Sequence, residues 1–361
     1  MKFLKSGLLG ALSLFVVITA GCSTSKPPKE EMASALVKLQ EAKSLKFTGD
    51  FAFDDVVIPQ DKIGDEESLA ATNMIVQLLK GATIKIHGAM QKEPQRSELV
   101  MDLSFGSEGM KVNLTIPIII TKDKVWLKVP QIPGFALPDT IAGKFIEVDL
   151  NKLKEEQKNG AGAALLNTEQ TEKLSQDILK TVLDNFDDKT YFSEPKAEDV
   201  KGLPEGYKGD KFVRFSINQQ NVDQTITTVI DKVAPQIIDL LLKNEEYLKA
   251  LQLKKEDLEA AKKDLADKKE GETQKTVDEL KKNLKINELS FTGGIEDDYM
   301  TYQDMRVNLD STDPKNLMKL AVHFTMSYDD INDKVKFEYE LPKDAVPVEQ
   351  LQDMLTLPSG L

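Results

Sequence analysis

Two histidines, one cysteine and one tryptophan in 361 residues leave most catalytic chemistries without their side chains. Zinc and haem sites draw on His and Cys, and a nucleophilic triad needs a histidine base. His87 and His323 both fall, by strand alternation, on polar faces away from the apolar side. No glycine-rich phosphate loop occurs. Carboxylate pairs stand at Asp54-Asp55, Asp187-Asp188, Asp297-Asp298 and Asp329-Asp330. A calcium loop needs oxygen ligands at alternating positions, and Phe186 and Ile331 occupy the second ligand slot of the two best candidates. These acids read as turn residues. Positive charge is also scarce, with 47 basic against 60 acidic side chains. That balance disfavours nucleic acid, which demands basic surface. No metal, no cofactor and no catalytic residue is expected.

Long apolar runs are equally scarce. The one clear run, residues 8–18, follows Lys2 and Lys5 and is too short to span a bilayer. It reads as a secretion signal, residues 1–21. The stretch Thr19-Ala20-Gly21-Cys22 resembles a lipobox, which implies cleavage before Cys22 and a diacylglyceryl group on its sulfur. A lone thiol in an oxidising compartment otherwise has no partner. Loss of the signal removes Lys2 and Lys5, leaving 45 basic against 60 acidic residues and a formal charge of −15. So acidic a body disfavours binding to anionic headgroups, and attachment rests on Cys22. The expected location is the cell membrane, lipid-anchored, facing the extracytoplasmic side. Residues 22–31, with Pro27-Pro28, form the lipidated tether, and 352–361 a C-terminal tail.

The remaining 32–351 read as one α+β domain. Period-two alternation marks half-buried antiparallel strands. Phe47, Phe51 and Phe53 share one face, as do Ile84, Ile86 and Met90. Leu99, Met101, Leu103 and Phe105 do the same, and so do Met110, Val112, Leu114, Ile116 and Ile118. The break at 106–109 suggests a hairpin turn. Further alternation predicts strands in "KVWLKV", "KFIEVDL", "MKLAVHFTMSY" and "KVKFEYEL", so strand-rich ends bracket a helical middle.

Helices are predicted at 65–81, after a capping box at Asn167 and Gln170, and over 222–241. In the last, Val222, Ile226, Val229, Ile230, Val233, Ile237 and Leu241 form one stripe, bent at Pro235. Residues 254–285 are dense in both charges and broken at Gly271, reading as a solvated helical hairpin or arm. Trp126 is either a binding platform or a ring packed under a neighbouring loop. The segment 130–143 carries Pro130, Pro133 and Pro138, so it stays out of a sheet, yet it bears Ile132, Phe135, Leu137 and Ile141. It is either a plug or a lid over a ligand mouth.

The order lipobox, long strands, "KVWLKV…KFIEVDL", a helix, "VKGLPEGYKGDKFVRFSIN", a long helix and strands closing on "INDKVKFEYELPKDAVPVEQL" resembles the LolA/LppX-like carrier lipoproteins and related extracytoplasmic lipoproteins. The resemblance covers most of 45–351 and carries no catalytic motif, so no family residue transfers. It implies a curved, incomplete antiparallel barrel with helices over the concave face, and a lipid or acyl chain held between them. The charged insertion departs from that pattern. The residues expected to touch such a ligand are Phe135, Leu137, Val222, Ile226, Ile230, Met101 and Met326. The expected function is non-catalytic binding of a hydrophobic ligand; the alternative is an envelope scaffold or sensor that docks a protein partner through the charged arm. Space under the 222–241 helix favours the carrier, and a filled core there favours the scaffold.

Overall fold

The structure, a computed structural model, describes residues 26–58, 76–77, 80–107, 110–132, 137–158, 168–209, 211–267, 271–311 and 317–350. The signal peptide, Cys22, most of the helix expected at 65–81, Phe135, Asn167 and the tail lie outside the described residues.

Strand alternation translates into a single 12-stranded sheet. The strands are β1 (Ser44–Val57), β2 (Thr83–Gln91), β3 (Arg96–Ser107), β4 (Met110–Thr121), β5 (Lys124–Lys128), β6 (Phe145–Asp149), β7 (Phe192–Ser193), β8 (Lys211–Ile217), β9 (Leu284–Glu296), β10 (Tyr299–Ser311), β11 (Lys319–Asp329) and β12 (Val346–Pro347). Their spatial order is β12-β6-β5-β4-β3-β2-β1-β11-β10-β9-β8-β7. Every pairing is antiparallel except β12 with β6, and the sheet does not close. Two meanders, β1–β6 and β8–β11, meet where β1 pairs β11.

The helices are α1 (Pro28–Gln40), α2 (Leu150–Lys158), α3 (Thr168–Asp184), α4 (Asp188–Tyr191), α5 (Val222–Thr228), α6 (Ala234–Leu242), α7 (Glu245–Ala250), α8 (Lys255–Ala266) and α9 (Glu272–Asn283). Pro28 suits the first turn of α1, where a missing N–H costs nothing. Helices α1, α3, α5 and α6 lie on the apolar face at the β7–β10 end. There Met32, Leu183, Phe186, Tyr191, Val213, Val222, Val233 and Met300 form the main core. Within it Tyr191 and Phe215 stack and Phe186 meets both edge-on, at centroid distances of 4.8–5.9 Å.

The long helix runs as foreseen from Val222 to Leu242, with a π-turn, Val229–Val233, just ahead of Pro235. A π-turn inserts an extra residue and rotates the helix phase. Val222 and Val233 are therefore buried while Val229 is 40% exposed, although regular periodicity puts it on the same stripe.

Two expectations need correction. The charged segment folds into the helical pair α8–α9, with most side chains solvated, but it lies back on the long helix. Val277 is fully buried, Lys262 pairs with Asp239 at 2.5 Å, Lys281 with Asp223 at 2.8 Å, and the Thr273 hydroxyl donates to Asp231. The segment 335–341 joins no ladder. It crosses the polar face of the sheet as an extended strap, held by side chains. Glu98, 2% exposed, accepts the backbone N–H groups of Glu338 (2.7 Å) and Tyr339 (3.0 Å). Arg96 donates to the Tyr339 carbonyl and lies 4.1 Å above the Phe337 ring. Its alternation reports extended backbone buried on one side only.

Candidate functional site

Register defines the apolar face strand by strand. One row runs Met101–Ile86–Gly49–Met326 across β3, β2, β1 and β11. Ile116 on β4 extends that row, and the next runs Leu114–Leu103–Ile84–Phe51–Phe324–Met305–Phe291–Phe215 from β4 to β8. On β1–β4, β10 and β11 this face carries no charged side chain. Its polar groups beyond backbone include Ser97, Ser107, Gln303, Ser311 and the Tyr328 hydroxyl, which donates to Gln303 at 3.4 Å.

Coverage of the face is uneven. Where the helices pack, over β7–β9 and the start of β10, it is largely covered. Away from them Ile84, Ile86, Leu99, Met101, Leu103, Phe105, Ile116, Ile118, Val322, Phe324 and Met326 are only half-buried. Ile120, Leu127 and Met305 are exposed, at 37%, 39% and 44%. Leu39 at the end of α1, Ala42 in the turn after it and Leu45 at the start of β1 seal one end of the trough, with Phe47, Met90 and Tyr328 packed beside them. This half-buried apolar stretch is several strands wide at about 4.8 Å each, a contiguous patch of the kind that marks a binding surface.

Gly49 and Gly88 shape the floor. The Met326 thioether lies where a Gly49 Cβ would come within 3.0 Å of it, and the Phe47 ring covers Gly88. Burial pushes the Tyr328 phenol up to about 12. A phenol neutral in the fold but ionisable at about 10 when unfolded stabilises fully below pH 10 and loses that stability as pH climbs from 10 to 12. Urea midpoints measured across that window should fall in the native protein and fall less in Tyr328→Phe.

The residues expected to line a ligand separate into two groups. Met101 and Met326 share one row of the open trough. Val222 and Ile226 are packed into the filled main core, Ile230 is half-buried on the π-turn, and Leu137 is half-buried beside the buried Ile141. The trough residues Leu103, Phe105, Ile116 and Phe324 were readable as apolar alternation, but alternation does not say which stretch a helix covers.

Two of the other cavities are polar or mixed. One of about 650 Å³ is lined by Glu205, Glu296, Asp297, Asp329, Asp330 and Asp333. Among the described residues no group of three or more His, Cys, Asp or Glu is placed to hold a metal ion. Asp297, Asp298 and Asp330 sit in left-handed turn conformations, and Asp187 caps α4 by accepting the Thr190 N–H at 2.9 Å. Asp54 and Asp55 differ from the turn reading: they lie at a bulge in β1, Asp54 bonded to His323 at 2.8 Å and Asp55 to Lys80 at 3.1 Å. A second cavity, about 860 Å³, opens between the strap and the β2–β3 hairpin. Trp126 borders it but is 5% exposed, its indole N–H given to Glu147 at 2.9 Å, so the ring packs under a neighbouring segment.

Neither protein-family models nor curated proteins give a match to this chain.

Proposed function

We propose that the chain is a membrane-anchored, extracytoplasmic bacterial lipoprotein that holds a hydrophobic, lipid-like ligand in the open trough, without catalysis. The observation that carries this reading is the charge-free, half-exposed face through Met101, Leu103, Phe324 and Met326. Apolar area of that extent is unfavourable in water and is relieved by a hydrocarbon occupant. Methionines at Met101 and Met326 give the floor a deformable lining. An open, mostly antiparallel sheet with helices on one face is compatible with the curved, incomplete barrel of LolA/LppX-like carriers. The ligand position differs from that expected: the core under the long helix is filled, so the ligand lies beside the helices, over β1–β4 and β11.

The filled core is also what a scaffold would have, with the α8–α9 pair as its docking element. Native mass spectrometry separates the two readings. Residues 26–361 purified without detergent should carry a bound lipid, and Leu103→Asp should lower occupancy at least tenfold while leaving far-UV circular dichroism unchanged. A wild-type body that neither retains lipid nor takes it up from vesicles would overturn the carrier reading.

A further inference from the structure

We propose that the trench between α1 and α3 receives one acyl chain of the lipid on Cys22, so that the protein shelters part of its own anchor. This rests on the lipoprotein reading of Cys22, but not on the trough's occupancy.

The trench has a volume of about 500 Å³ and an apolar floor made by Ala33, Val37, Leu179 and Leu183. Ala33, Leu179 and Leu183 also pack downward on the main core, which holds the two helices in place on either side of the trench. Ion pairs at the rim, Lys180–Asp184 at 2.6 Å and Lys38–Asp298 at 3.1 Å, direct charge outward and leave the floor neutral.

Dimensions select the occupant. The wall contributed by α1 runs from Lys29 to Glu41, about 18 Å at 1.5 Å per residue. Spread over that length, the volume gives a mean cross-section of about 30 Å². An α-helix with side chains is about 10–12 Å across and needs roughly three times that section. A single unbranched hydrocarbon chain seats within the groove along its length, whereas a partner helix would stand mostly above its rim.

Position selects the source. Cys22 stands seven residues before Lys29, a reach of at most about 25 Å, and the trench begins at Lys29. That end is fixed: the Lys29 backbone N–H donates to Asp188 at 3.0 Å, and its ammonium to the Phe186 carbonyl at 3.1 Å. Pro27 precedes the helix with φ −54° and ψ 146°, an extended conformation that starts the tether as a stiff lead. A methylene moved from bilayer to trench stays out of water, so one chain can change places while another keeps the protein attached. Seating that chain brings the α1–α3 face to the membrane surface and fixes how the body stands on it.

The test uses the full chain made in cells fed a fatty acid with a terminal diazirine. Intact mass establishes acylation of Cys22, and irradiation of the membranes is followed by peptide mapping. Crosslinks from the Cys22 lipid to Ala33, Val37, Leu179 or Leu183 are expected. They should fall at least tenfold when Val37→Trp and Leu179→Trp fill the trench. Acylated Cys22 with crosslinks to membrane lipid alone would overturn the assignment. So would undiminished trench crosslinks in Cys22→Ser, which would mean that free lipid binds there. A mature chain with unmodified Cys22 would instead remove the lipoprotein reading itself.

Discussion

Glu98→Ala should release the strap and cost about 3–5 kcal/mol of stability, the range for breaking a buried, hydrogen-bonded charge cluster. The carboxylate is 2% exposed and accepts two consecutive N–H groups from a segment with no ladder of its own. Its loss leaves both donors, and the Arg96 guanidinium 3.5 Å away, without that acceptor. Val335, the buried end of the strap, then meets water. Two measurements check this. The urea midpoint should fall, and trypsin should cut after Lys334 or Lys336 well before the rest of the body. Glu98→Gln, which keeps one acceptor oxygen, should lose less. Wild-type midpoints and wild-type trypsin resistance in Glu98→Ala would show that the strap is held by its apolar contacts alone.

Gly88→Ala should be comparably damaging through a different mechanism. An added Cβ would lie 1.9 Å from the Glu98 carbonyl oxygen and 2.7 Å from the Phe47 ring. The first is backbone of the neighbouring strand, so β2 and β3 must separate, and Phe47 must give way as well. Overpacking of this kind costs about 3 kcal/mol, which lowers the melting temperature of a chain this size by roughly 5–10 °C. Gly271→Ala, whose Cβ meets nothing within 4 Å, serves as the comparator and carries only the strain of its positive φ. Equal melting temperatures for the two variants would refute the steric account.

The strands were legible because period-two alternation is set locally: Leu99, Met101, Leu103 and Phe105 do share a face, and the register confirms it residue by residue. Glu98 was not legible. Parity placed it opposite Leu99, on a face that would ordinarily be solvated, and its partners stand 240 and 241 residues away. The strap misled for a related reason. Val335, Phe337 and Tyr339 alternate with Lys336, Glu338 and Glu340 as a strand would, because alternation senses one-sided burial and not who supplies the hydrogen bonds. On the long helix, the π-turn shifted the phase and turned Val229 outward. The trough was half legible: its composition is in the alternation, but its openness depends on where α1, α3 and the long helix come to rest.

The two ends of the sheet have a consequence for how copies of this chain meet one another. A sheet that does not close offers its outer strands to any neighbour able to continue the ladder. Here the outermost strands are β7 and β12, two residues each, and β12 ends in Pro347, which has no N–H to donate. β6, the last strand of ordinary length on that side, is five residues long. Neighbouring copies therefore find almost no template for adding a strand, and the sheet can stay open without becoming a seed for edge-to-edge association.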